Sequence, residues 1–123
     1  MTNAEFAEQF KNRTKQFALN IIKSFQKLPK TDEARTIGRQ LLRSATSTAA
    51  NYRAVCRARS DAEFFSKLSI VVEEADECVF WLEILLESEM VISSEISKAK
   101  SLLMEANEIL AVVSSSRKTM RNN

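Results

Sequence analysis

Residues 43–53 read Arg-Ser-Ala-Thr-Ser-Thr-Ala-Ala-Asn-Tyr-Arg. Between the two arginines almost every side chain is small, so the stretch is either a flexible Ser/Thr linker or the middle of a helix pressed closely by its neighbours. The flanking pattern decides. Ala34, Ile37, Leu41, Leu42, Ala45, Thr48, Ala49, Tyr52, Val55 and Cys56 recur at helical spacing through the stretch without a break, which makes it helix. Small residues there let adjacent elements approach, and Gly38, the one glycine, lies one heptad before Ala45 and serves the same end at a cost of about 1 kcal/mol in helix propensity.

Working outward, the same periodicity predicts four helices. The first spans about 3–28, with Phe6, Phe10, Phe17, Ile21, Phe25 and Leu28 on one stripe and Asn3 as N-cap. It should stop before Pro29, because a residue that precedes proline is pushed out of the helical region. The second spans 32–57 behind a Thr31 cap, with Asp32 and Glu33 at the positive end of its dipole. Ser60-Asp61-Ala62-Glu63 reads as a capping box for the third, 61–87. Its seam is a heptad of Phe64, Leu68, Val71, Ala75, Cys78, Leu82 and Leu85, widened by Phe65, Val72, Val79 and Leu86. Ser93 or Ser94 caps the fourth, 94–114, and 114–123 reads as a basic, fraying tail. Four helices of this length with short loops predict an all-α, antiparallel up-down four-helix bundle in a single domain, 1–113.

The totals agree. The chain has 123 residues, 45% hydrophobic and 28% charged, with one Gly and one Pro, too little turn chemistry for a many-stranded fold. No leader-like apolar region and no membrane-length run stands out, so the expected setting is cytoplasmic, with both cysteines reduced. Cys56 and Cys78 fall on buried stripes and read as small core residues. Enzymatic chemistry is disfavoured. There is no histidine for acid–base work or metal binding, and one glycine cannot build a phosphate loop. No cofactor or metal is expected. A carboxylate set of Glu73, Glu74 and Glu77 is the one catalytic arrangement left, and pairing with arginines accounts for it better.

Net charge is only +2, but it is unevenly placed. Residues 1–59 hold 12 Lys/Arg against four Asp/Glu, residues 60–110 hold three against 12, and 111–123 add three cations. Such asymmetry serves either charge pairing within and between subunits or a basic face for a polyanion. For nucleic acid, RNA or DNA, the candidate residues are Lys11, Lys15, Arg39, Arg43, Arg53, Arg57, Arg59, Arg117, Lys118 and Arg121. Outward on helix three the pattern places Ile70, Trp81 and Ile84 among Glu73, Glu74 and Glu77, a row too apolar for a free surface. With Arg39 and Arg43 these residues form the expected interface of a homo-oligomer; a protein-interaction scaffold with arginines tied up by glutamates is the alternative.

Three pieces of sequence together resemble a known family: Gln40-Leu41-Leu42-Arg43-Ser44-Ala45-Thr46-Ser47 with Asn51-Tyr52, then Ser60 and Phe64 to Lys67-Leu68, then Glu73-Glu74-Ala75-Asp76-Glu77 with Trp81-Leu82-Glu83. The chain is similar, over about residues 6–113, to the bundle proteins encoded in intervening sequences of bacterial 23S ribosomal RNA genes, and to the related accessory proteins of diversity-generating retroelements. The resemblance implies a small antiparallel bundle in a pentameric ring, and the likeness to the retroelement accessory group implies binding to nucleic acid and a reverse transcriptase. It implies no chemical role for Arg43, Ser44, Ser47, Asn51, Glu73, Glu74, Glu77 or Trp81. The chain departs from the common form at the end of helix two, where Asn51-Tyr52-Arg53-Ala54-Val55 replaces an N-I-A-E-G ending.

Overall fold

The computed structural model describes the backbone of residues 1–122 and the side chains of residues 1–120. Four helices make up nearly all of it: α1 (Asn3–Gln26), α2 (Asp32–Val55), α3 (Asp61–Glu87) and α4 (Ile96–Asn122), with a 3-10 turn, Ser93–Glu95, leading into α4. No strand occurs among the described residues. The quoted small-residue stretch lies inside α2.

The helix starts follow from local chemistry. Thr2, rather than the expected Asn3, caps α1, its hydroxyl oxygen accepting from the Glu5 N–H at 3.1 Å. Thr31 accepts from the Ala34 N–H at 3.3 Å and Ser60 from the Glu63 N–H at 3.1 Å. The capping box is half made, because the Glu63 carboxylate stands 3.7 Å from Arg59 instead of turning back. Both α1 and α2 end two residues before the expected limits. Their last turns tighten into three-residue steps, Leu28 N–H to Phe25 O at 3.1 Å and Ala58 N–H to Val55 O at 3.1 Å, the usual way to satisfy end carbonyls. At the end of α3, Glu89 takes a left-handed φ of 61° so that the Met90 N–H can reach Leu85 O at 3.1 Å, a role glycine fills without strain.

α4 differs most from expectation. Ser93 and Ser94 lie in the 3-10 turn without a side-chain cap, and the helix begins at Ile96. It runs through the segment 114–123 that reads as a tail, as far as Asn122. No Gly or Pro follows Val113 to stop it. The Ser116 hydroxyl bonds back to Val112 O at 2.9 Å, and terminal cations suit the negative end of the dipole.

α2 packs against α1 and α3, α3 also against α4, and α1 closes against α4. The core holds Phe10, Phe17 and Ile21 of α1; Leu41, Ala45, Tyr52 and Val55 of α2; the α3 seam from Leu68 to Leu85; and Leu102, Ala106, Ile109 and Val113 of α4. Phe6 is the part of the α1 stripe that stays exposed. Three buried polar residues complete the interior, each with a hydrogen-bond partner. Thr14 donates to Lys11 O, Thr48 to Ser44 O at 2.7 Å, and Ser44 to Glu77 Oε1 at 3.3 Å. Gly38 allows a close approach, but of side chains rather than backbone: a Cβ there would lie 2.7 Å from Leu28 Cδ1 and 2.9 Å from Phe25 Cδ2. Cys78 is buried as expected, whereas Cys56 is exposed, because α2 ends at Val55 and carries it past the packed stripe.

Candidate nucleic-acid interface

The predicted cations separate into groups. Lys11 and Lys15, one turn apart on α1, stand across a groove from Arg53 on α2. Asn12, Ala49 and Ala50 also line this groove, which measures about 410 Å³. The methyl side chains of α2 keep it shallow and open, so its chemistry is set by the cations. Arg57, four residues beyond Arg53, is exposed past the end of α2 and does not line the groove. Glu8 is the groove's single carboxylate and pairs with Lys11 at 2.9 Å.

The remaining candidates lie elsewhere. Arg39 lines a notch with Lys30 and Arg35 near the α1–α2 turn. Arg43 is exposed but stands 3.7 Å from Glu77 within the same chain, so part of its charge is answered. Arg59 is 88% exposed and 3.7 Å from Glu63. Arg117 and Lys118 sit on the last turns of α4, which gives nothing to the groove. The side chain of Arg121 lies outside the described residues. One arginine outside the predicted set has the firmest pairing of all. Arg13 donates to both Glu105 oxygens, at 2.8 and 2.6 Å, and has Glu108 at 3.7 Å. Its partners lie 92 residues away, and no local pattern points to them.

The row expected on the outside of α3 sits differently. Ile70, Glu74, Glu77, Trp81 and Ile84 are all half-buried, and only Glu73 of this row is exposed. The row is a flank against α2, as the bonds from Ser44 and Arg43 to Glu77 demonstrate. Trp81 packs on the core rather than standing in solvent. The exposed aromatic is its neighbour Phe80, 50% exposed and edge-on to the indole at 4.8 Å. A second heptad row widens the buried arc enough to draw in the large indole, and Phe80, one residue before it, is turned about 100° outward. Burial raises the Glu74 pKa above the ordinary carboxylate range, with help from Glu77 and against the pull of Arg43. Burial also holds the Cys78 thiol up at about 12, and the Cys56 thiol is raised as well, first by partial desolvation of its sulfur on an otherwise exposed residue. Neither sulfur is an activated nucleophile. No group of acidic or sulfur ligands suited to a metal occurs among the described residues, and none of their helices is long and apolar enough to cross a membrane.

Two of the comparisons with known proteins give matches. A family model described as 23S rRNA-intervening sequence protein matches residues 8–113. The chain is also similar to a solved structure from Bacteroides thetaiotaomicron VPI-5482, described as a protein of unknown function from the S23 ribosomal protein family. Identity is 30% and the TM-score 0.79, over 91% of this chain and 97% of that one. A comparison with curated proteins yields no match.

Proposed function

The chain belongs to the family of 23S rRNA-intervening sequence proteins, and on that premise we propose that it is a cytoplasmic, non-enzymatic, up-down bundle that self-associates into a ring and binds RNA. The single observation that carries the RNA reading is the α1–α2 groove, where Lys11, Lys15 and Arg53 converge over small residues. Such a surface neutralises phosphates and reads no bases, so binding is salt-sensitive and sequence-tolerant. Repetition around a ring multiplies a modest patch. Antiparallel packing is supported by Phe10, near the start of α1, lying edge-on to Tyr52, near the end of α2, at 4.7 Å. Phe25 and Leu28, where α1 ends, cover Gly38, where α2 begins.

A filter-binding titration against structured RNA at about 50 mM salt tests the reading. Log affinity should fall linearly with log salt, and Lys15→Glu with Arg53→Glu should flatten that slope by about one unit for each phosphate no longer neutralised. A flat wild-type isotherm removes the RNA reading; an unchanged slope in the double variant removes the groove. The ion pairs of Arg13 and Arg43 favour a second reading, a protein-interaction scaffold whose arginines serve structure. Under it the double variant changes nothing in RNA binding.

A further inference from the structure

Phe80 stands out on α3, 50% exposed and edge-on to Trp81. Asp76 and Glu83, four residues before and three after, are exposed on the same ridge. The result is an aromatic anchor with carboxylates on either side. The α1–α2 turn presents the complement. Phe25, Leu28 and Pro29 line a notch of about 230 Å³ together with Lys30, Arg35 and Arg39, and no carboxylate is among them. An aromatic anchor in an apolar recess with a charged rim is the usual form of an interface hot spot.

The two features lie one to two helical turns apart along the bundle: the contacts of Thr48 with Cys78 and of Ser44 with Glu77 set Phe80 level with the middle of α2, and the notch lies nearer the α1–α2 turn. Leu82 and Leu85, next along α3 from Phe80, share one small cavity with Phe25, Leu28, Gly38 and Leu41. The two features also lie on different sides: α3 packs on α2 and α4, while the notch belongs to the α1–α2 turn. Rotating a second copy about an axis tilted from the bundle changes height as well as side, so it can bring its notch to the first copy's Phe80. Such a contact is head-to-tail, and repetition closes it into a ring. We propose that Phe80 of one copy seats in the Phe25–Leu28–Pro29 notch of the next, with Asp76 and Glu83 facing its Lys30, Arg35 and Arg39. This rests on the self-association proposed above and names its surfaces. It leaves Lys11, Lys15 and Arg53 uncovered, since Arg53 lies about 20 Å from Arg39 along α2 at 1.5 Å per residue.

The test is the solution mass by light scattering of the wild type, Phe80→Ala and Arg39→Glu. Each variant should weaken assembly at least tenfold, on the order expected for a hot spot, and keep the helical circular-dichroism spectrum of the wild type, because both side chains stand outside the core. Mixed one to one, they should form a species of two chains, since Phe80→Ala keeps its notch and Arg39→Glu keeps its Phe80. Assembly that survives both substitutions overturns the seating and leaves self-association standing. Variants that come apart but do not recombine overturn the head-to-tail arrangement. A wild type with the mass of one chain overturns both, while the groove variants still judge RNA binding separately.

Discussion

Glu74 carries a buried oxygen on the α2-facing flank of α3, with Glu77 one turn away on the same ridge. Its folded pKa lies above the unfolded value, so the fold favours the protonated form. The carboxylate therefore costs stability at neutral pH, and the cost fades as pH falls through the raised value towards the ordinary glutamate range. Glu74→Gln should raise the urea midpoint at pH 7, with an advantage that shrinks towards about pH 4. Equal differences at both pH values would contradict this. Glu89 presents the opposite case, a cost in backbone conformation rather than charge. At φ 61° its Cβ is crowded, and glycine is not. Glu89→Gly should stabilise the protein by about 0.5–1 kcal/mol in chemical denaturation; an unchanged midpoint would show that the turn stores no strain.

Between elements, α1 and α4 meet over less surface than the consecutive helices do, and Arg13 bridges them. Its two-pronged bond to Glu105 is partly exposed, so solvent screening limits its worth. Arg13→Ala should cost about 1 kcal/mol in thermal or urea unfolding and leave RNA affinity unchanged, because Arg13 faces α4 and not the α1–α2 groove. A loss of RNA affinity equal to that of Lys15→Glu would show that charge anywhere on α1 suffices. The α2–α3 contact has a different basis. Ala45 and Ser44 are fully buried there, and Thr48 lies 3.9 Å from the Cys78 sulfur. Their small volumes set the separation of the helices, and their hydroxyls bond inside the chain.

Over the whole molecule, charge is sided. The groove cations lie on α1 and α2, and most carboxylates lie on α3 and beyond. If a ring presents several grooves to one RNA, avidity raises apparent affinity without new contacts. The Phe80→Ala variant should then bind a long structured RNA about tenfold or more weakly than the wild type. A short oligonucleotide that spans one groove should bind both equally. Equal loss on both ligands would mean that Phe80 itself touches RNA.

Four helices, the α3 limits and most of the core stripe were legible in the residues. Local periodicity and capping are near-neighbour properties, and neither Gly nor Pro interrupts them. The family was legible too, since its motif is a string of nearby residues. Tertiary structure decided the rest. It continued α4 beyond Val113, exposed Cys56, turned Trp81 inward and Phe80 outward, paired Arg13 with Glu105, and gathered three of the scattered cations into one groove. Each of those outcomes depends on which helix lies opposite and how far its side chains reach, and spacing along a single helix carries no information about that.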